Sequence, residues 1–350
     1  MPHPKTNNCT PWLLEAVHLM DPESGGPVCV LLMQSTFAIE GNLLRWMEPQ
    51  PPIEIGGRWR GDPTDSSLVL EPQVAIRKPG TDVVLLGHAC APHVAATEVD
   101  VGLRLGPLRQ LARVFGERRL IPAFGGAKVS RPEPFERIPL TYERAFGGWD
   151  RRHPDAGRHT CERRNPVGVG YHDVALALTQ DCSVPNIENP ARLYKGFGDH
   201  PTPVGFGFVG PHWMPRASHA GTFDAAWEAT RKPLLPKDFD ARFFNAASPG
   251  LTAPSHLRGD EPVAVVGTSA AALSFHLPGL PPPVAHVELR KRNRAVCEAE
   301  LDTVVVDTDQ QQVTLLWRSH LLLPEGPHDI VSIEIEPVTS SWVPGQRPRS

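Results

Sequence analysis

The chain has 350 residues, a length that allows one large domain or two ordinary ones. Apolar residues make up 40% of the chain, charged residues make up 21%, and the formal net charge is only -4, which excludes a disordered polyelectrolyte. There are also 39 prolines and 30 glycines, and because an interior proline removes a helix hydrogen bond, an architecture of long helices is excluded as well.

The first part of the chain, residues 1–121, is predicted to be rich in β-structure. Residues 27–39 are dense in Val, Leu, Thr and Phe, and Gly41-Asn42 separates them from residues 43–47, which is typical of a hairpin. Alternating or apolar patterns predict further strands at 67–78, 82–91, 99–105 and 110–115.

The middle part, residues 122–258, is crowded with Pro, Gly, Arg and aromatic residues and shows little periodicity. A helix is predicted at 223–232, capped by Thr222 and ended by Pro233, and a second short helix at 238–247. A long structureless stretch is unusual inside a compact domain, so we expect ordered loops held by specific side-chain contacts.

The last part, residues 259–350, returns to strands, predicted at 262–267, 284–290, 303–307, 313–318 and 329–338, with a polar hairpin loop at 309–312. The predicted class is therefore all-β or β-dominated. Strands from the two ends form sandwich-like sheets, and the middle part lies over them as a region of loops and short helices. The three parts can equally belong to one domain.

Candidate metal ligands are few. His153, Asp155 and His212 provide the two imidazoles and one carboxylate of a non-haem iron site, although the short H-x-D pattern also suits a polar loop. His88 and His93 flank Cys90 at a predicted strand end, where such histidines are usually structural.

Motifs for a serine nucleophile or a phosphate-binding glycine loop do not occur in the sequence, so no catalytic residue and no cofactor are predicted. The window 101–164 has 14 basic and 7 acidic residues, but the acids are interleaved with the arginines, which argues against nucleic-acid binding. The six cysteines form no C-x-x-C pair, no export signal is recognisable, and the aliphatic stretches are too short to cross a membrane. A cytoplasmic protein without membrane contact is expected.

Several motifs in the middle of the chain combine glycine or proline with an aromatic residue and a hydrogen-bonding group. This combination suits either an irregular scaffold or a surface that binds a partner. The motif residues are Tyr142, Glu143, Arg144, Phe146, Gly147 and Gly148; Asn165, Pro166, Gly168 and Gly170; Asn186 and Glu188; Trp213 and Arg216; Asp224 and Trp227; Asp238, Asp240, Arg242, Phe244 and Asn245; and Asp260 and Glu261. We favour the scaffold for the first motif, with Phe146 buried and Arg144 bridging loop groups.

These motifs, in this order, resemble DUF family 2169, a bacterial family of unknown function that is associated with type VI secretion. The matching segments run from Lys78-Pro79-x-Thr81-Asp82-Val83 through 143–148, 165–170 and 239–245 to Gly259-Asp260-Glu261. The resemblance implies a non-enzymatic adaptor or chaperone that loads a secreted effector protein onto the spike protein of the secretion system. The alternatives are a metal-dependent enzyme of the non-haem iron type and a structural partner of the secretion apparatus.

Overall fold

The computed structural model describes residues 5–8, 10, 12–124, 126–172, 182–291, 293–326 and 328–336. Strands dominate these residues, and one short α-helix occurs among them, so the predicted all-β class is confirmed.

The strands of the first part include the predicted hairpin. They are β1 (Lys5–Asn8), β2 (Leu13–Met20), β3 (Pro27–Glu40), β4 (Leu43–Trp46), β5 (Arg58–Trp59), β6 (Leu68–Leu70), β7 (Asp82–Leu86), β8 (His88–Cys90), β9 (Glu98–Leu105), β10 (Leu108–Phe115) and β11 (Arg119–Ala123). The strand predicted at 67–78 is wrong beyond Leu70. The chain leaves the sheet there because Glu71 and Lys78 make buried polar contacts instead of ladder bonds.

The middle part contains short strands and 3₁₀ turns. The strands are β12 (Gly126–Val129), β13 (Arg137–Pro139), β14 (Phe146–Gly147), β15 (Trp149–Asp150), β16 (Thr160–Cys161), β17 (Val169–Gly170), β18 (Cys182–Ser183) and β19 (Ile187–Glu188). The 3₁₀ turns are Tyr142–Arg144, Ala156–Arg158, Arg216–His219 and Ala241–Phe244. The last of these replaces the helix predicted at 238–247.

The α-helix, α1, spans Ala225–Thr230 within the predicted range of 223–232. Its cap was predicted incorrectly. Asp224, not Thr222, accepts the N–H of Trp227 at 2.8 Å, because the Thr222 hydroxyl donates to Asp238. An aspartate at this position also satisfies the helix terminus better than threonine does.

The last part confirms the predicted strands, and its hairpin loop lies between Asp307 and Gln312. The strands are β20 (Pro262–Val266), β21 (Leu273–His276), β22 (Val284–Leu289), β23 (Arg294–Glu298), β24 (Glu300–Asp307), β25 (Gln312–Leu322) and β26 (Ile330–Ile335). β21 and β23 were not predicted, and residues 337 and 338 of the final prediction lie outside the described residues.

Three larger sheets combine strands from both ends of the chain. The six-stranded sheet has the order β2-β3-β25-β24-β7 with β4 added to β3, the five-stranded sheet has β19-β10-β9-β20-β21, and the four-stranded sheet has β1-β26-β22-β23. β7 and β24 pair in parallel, with Asp82 beside Thr303. The division at residues 121 and 258 therefore does not separate independent sheets.

A single large buried cluster joins the three sheets, from Trp12 in the first part to Ile335 in the last. The middle part covers the outer edge of β7, where the N–H groups of Val83 and Leu85 donate to the carbonyls of Leu251 (2.9 Å) and Phe206 (3.0 Å). Since an exposed sheet edge invites unwanted pairing, this loop cover protects the six-stranded sheet.

Candidate functional site

The segment 142–148 is shaped by one buried side chain, that of Asn165. Its Nδ2 donates hydrogen bonds to the carbonyl oxygens of Tyr142 at 2.8 Å and Phe146 at 2.9 Å. The N–H of Gly148 in turn donates to the Asn165 carbonyl at 2.8 Å. A buried loop needs such partners because no strand ladder satisfies its backbone.

Gly147 and Gly148 allow the two segments to approach closely. Their φ angles are 153° and 96°, in a region that residues with a Cβ rarely adopt. A Cβ on Gly147 would lie 2.1 Å from the carbonyl oxygen of Asn165, and one on Gly148 would lie 2.3 Å from that of Gly168. The first two motifs thus form one scaffold unit.

Phe146 and Arg144 differ although they belong to the same motif. Phe146 is 2% exposed and packs against Tyr194. The Arg144 side chain is 40% exposed and pairs with the equally solvated Glu117 at 2.6 Å. Phe146 is buried as predicted. Arg144 bridges loop groups as predicted, since it also donates to Asn186 at 3.3 Å, but its ion pair lies at the surface, where it contributes little stability.

A buried ion pair between Arg118 and Glu188 fixes β19. The second oxygen of Glu188 accepts the backbone N–H of Tyr194 at 2.7 Å, and the neighbouring Asn186 donates to the Phe115 carbonyl at 3.1 Å. Burial raises the pKa of Glu188, and the Arg118 charge opposes this rise. Arg118 was missed because it lies outside every motif and follows a predicted strand.

Most of the other motif residues make separate structural contacts, whereas Arg216 and Asn245 both contact the buried charge network described below. Trp213 is buried edge-on against Tyr142 at 5.3 Å. The remaining contacts are Trp227 with the Leu234 carbonyl, Asp238 with Thr222, Asp240 with Arg242, Phe244 with Phe239, Asp260 with Arg258, Glu261 with the N–H groups of Arg258 and Gly259, and Gly170 with the Tyr194 hydroxyl; Pro166 is half-buried beside Asn165.

A buried network of charges surrounds the side chain of Lys78. The ammonium group of Lys78 lies 3.0 Å from Glu71, 2.9 Å from Asp82 and 3.4 Å from Asp302. Asp302 also pairs with Arg318, and Glu71 pairs with Arg216. All six side chains are at most 7% exposed, and three positive charges balance three negative ones. The network is therefore neutral, as the cost of burying charge requires.

The network joins the three parts of the chain. Asp82 accepts the backbone N–H of Ala246 at 2.8 Å and hydrogen bonds from the side chains of Asn245 (3.1 Å) and Thr252 (3.0 Å). Arg318 donates to the carbonyl of Ala75 at 2.7 Å. Asn245, a motif residue, thus has a structural role at the sheet edge.

The protonation states of the network follow from these contacts. Burial opposes the charge on Lys78, but the carboxylates of Asp302, Asp82 and Glu71 outweigh it and raise the pKa of the lysine. Burial likewise opposes ionisation of Asp302, yet Arg318 and Lys78 lower its pKa to about 2. Both groups are charged at neutral pH.

The predicted iron ligands are not brought together. His153 accepts the N–H of Asp155 at 3.0 Å inside a local loop, whereas the ring of His212 stacks on that of Trp59 with centroids 6.4 Å apart. Within the described residues, no group of three or more His, Cys, Asp or Glu side chains is placed to hold a metal ion.

His88 and Cys90 also have other partners. His88 pairs with Asp309 at 2.6 Å, and the Cys90 thiol donates to the Thr268 carbonyl at 3.0 Å. Each side chain is thus engaged in a contact between loop and strand, which agrees with a structural role for this strand end.

A groove of about 740 Å³ lies where the four-stranded and six-stranded sheets meet. Its lining includes network members Lys78, Asp302 and Arg318, together with Trp317. Other residues of the lining come from five segments distant in sequence: Arg77, His256, Leu257, Arg258, Val284, Val296, Cys297, Glu298, Glu300, Ser319 and His320. No short motif contains this set, so sequence analysis could not have found the groove.

Two features of the groove suit the binding of a polar partner. Arg77 is exposed and forms no ion pair or hydrogen bond within the described part of the chain, although its charge helps burial to lower the pKa of His320. Arg258 also lines the groove, and its side chain is 83% exposed. His256 is held in place by the Lys78 carbonyl at 3.0 Å and by Glu300 at 3.3 Å.

Most of the chain matches a known protein family. A family model described as an uncharacterized protein conserved in bacteria (DUF2169) matches residues 24–318, and the protein belongs to this family. The match includes the motifs, the buried charge network and most of the groove. No curated protein and no solved structure matches the chain. Among the described residues, no helix is long and apolar enough to cross a membrane.

Replacing Lys78 tests the network. Lys78→Met leaves the carboxylates of Glu71 and Asp82 without their shared cation, so we expect the free energy of unfolding to fall by about 3–5 kcal/mol. The control is Lys232→Met, which removes an exposed pair with Glu228 and should cost less than about 0.5 kcal/mol. Urea unfolding of both variants measures the difference, and equal losses would contradict the structural role of Lys78.

The low pKa of Asp302 predicts a dependence of stability on pH. Its pKa is about 2 in the folded protein and about 3.9 in an unfolded chain, so ionised Asp302 stabilises the fold above pH 4. This contribution is lost as the pH falls from about 4 to 2. Asp302→Asn should therefore be less stable at neutral pH and show a flatter loss of stability on acidification. Urea unfolding across this pH range checks both, and parallel curves would refute the assignment.

The two neighbours in the first motif should respond differently to truncation. Phe146→Ala leaves a cavity in a packed site and should lower the free energy of unfolding by about 3–5 kcal/mol. Arg144→Ala removes a solvated pair and should cost at most about 1 kcal/mol. Thermal and urea unfolding of the two variants provide the measurement, and a large loss for Arg144→Ala would show that its contact with Asn186 at 3.3 Å matters more than its ion pair.

Proposed function

We propose that the protein is a non-enzymatic adaptor that binds a secreted effector protein of a type VI secretion system and brings it to the spike protein. The proposal is supported by the groove between the four-stranded and six-stranded sheets, together with the membership of the chain in the DUF2169 family. Its lining mixes apolar surface with charged groups, as expected of a surface that recognises another protein.

The groove rests on a rigid base. Lys78, Asp302 and Arg318 are fixed by the neutral network beneath it, and Trp317 is held by Trp12 with ring centroids 5.7 Å apart. A preformed surface loses little conformational freedom when a partner binds, which favours affinity.

The charges at the rim indicate the chemistry of the bound segment. Arg77 has no ion pair of its own among the described residues, and Arg258 extends into solvent. We infer that the groove accepts a segment of the effector that carries carboxylate groups and pairs with Arg77. Such a rim charge mainly affects the rate of association and the specificity.

The first experiment is genetic and tests the role as a whole. Deleting the gene should abolish secretion of one effector encoded nearby, while the apparatus still assembles and delivers other effectors. Normal secretion of every effector from the deletion strain would refute the proposal. Stoichiometric co-purification with the spike protein in the absence of any effector would favour the structural alternative.

The second experiment tests the groove with purified proteins. Arg77→Glu reverses the unpaired charge and should weaken effector binding about tenfold, without a change in stability. The matched control is Arg109→Glu, which also changes an exposed arginine, on β10 of the five-stranded sheet and outside the groove. Calorimetric titration of each variant with the effector measures the affinity. Equal affinities for both variants would place the binding surface elsewhere.

A further inference from the structure

The strand β23 is an edge of the four-stranded sheet, paired with β22 on one side only. The hydrogen bonds at the two ends of this pair show which residues of β23 are bonded to β22. The N–H of Leu289 donates to the Asn293 carbonyl at 2.8 Å, and the N–H of Ala299 donates to the Pro283 carbonyl at 3.0 Å. Hydrogen-bonded and non-hydrogen-bonded residue pairs alternate along an antiparallel ladder. Ala295 therefore forms a hydrogen-bonded pair with Val287 of β22, and the residues on either side of Ala295 do not bond to β22.

The residues of β23 that are not bonded to β22 therefore direct their backbone N–H and carbonyl groups away from the sheet. These residues are Arg294, Val296 and Glu298, and none of their N–H or carbonyl groups has a partner in the described part of the chain. The N–H and carbonyl groups of these three residues are thus available to another extended strand, which can add to a free sheet edge by forming the missing backbone hydrogen bonds.

The side chains of the same residues are exposed. Val296 is 61% exposed although it is apolar, and the Arg294 side chain is 68% exposed, with only a distant ion pair to Glu334 at 3.9 Å. Glu298 is exposed and has no ion pair among the described residues. The intervening Ala295 and Cys297 are small, so the opposite face presents no bulky side chain to an added strand.

The order of these residues is self-complementary. In an antiparallel pair centred on Val296, Arg294 lies opposite Glu298 of a second copy, Val296 lies opposite its own counterpart, and Glu298 lies opposite the second Arg294. Directly opposed residues on one face of a sheet interact, and opposite charges stabilise the pair. A two-fold axis requires such self-complementarity of one surface.

We propose that two copies of the protein associate through β23, with antiparallel pairing centred on Val296. The two four-stranded sheets then form one continuous sheet across the two-fold axis. The occupant of this edge is thus a second copy of the chain, identified by the matched order of base, apolar residue and acid. Because Val296 and Glu298 also line the groove, each copy contributes to the rim of the groove beside the contact.

The test uses the full chain alone, without an effector, so its outcome is independent of the proposed adaptor role. Sedimentation velocity over a dilution series should show a species with twice the 38.3 kDa mass of one chain. Arg294→Glu sets like charges opposite each other at two symmetric positions and should raise the dissociation constant of the dimer at least about tenfold. Exchanging both charges, in Arg294→Glu with Glu298→Arg, should restore the dimer.

A second variant tests the backbone pairing itself. The N–H of Val296 faces away from β22, so Val296→Pro removes an outward donor while leaving the internal ladder intact, and proline is tolerated in edge strands. This variant should fold with unchanged thermal stability and remain monomeric. A wild-type protein that is monomeric at every concentration would overturn the proposal, and so would a dimer that survives both Arg294→Glu and Val296→Pro.

Discussion

The burial of one lysine charge is the constraint on which the rest of the fold depends. Lys78 lies under the junction of two sheets, and its ammonium group is stable there only because carboxylates from two distant segments surround it. Those carboxylates need further donors of their own, which Arg216, Arg318 and Asn245 provide. The network thus determines which segments must meet, whereas the apolar core determines how closely they pack.

The middle of the chain is ordered without long strands because side chains replace the missing ladder. Asn165 satisfies the turn at 142–148, Glu188 holds the backbone of Tyr194, and Asp82 holds that of Ala246. Each is a nearly completely buried polar side chain that forms a hydrogen bond with at least one main-chain group. This explains why a region so rich in proline and glycine can still cover the edge of β7.

The long strands and the burial of Phe146 could be predicted from the sequence, because β-branched density and glycine–aromatic motifs act locally. The sequence did not allow the network to be predicted. Charged residues such as Asp302 and Arg318 are usually exposed, and in the folded protein the segment around Lys78 buries them. The groove was missed for a related reason, since its lining comes from segments far apart in sequence.

The network joins residues that are far apart in the sequence, and this affects how the protein folds during synthesis. Lys78 and Asp82 are synthesised long before Asp302 and Arg318, with which they form the network. Until Asp302 and Arg318 emerge, β3 and β7 lack their neighbours β25 and β24, and the lysine lacks part of its counter-charge. The six-stranded sheet therefore cannot be completed until these later strands have been synthesised, which leaves one edge of β3 and one edge of β7 without a strand partner in the nascent chain.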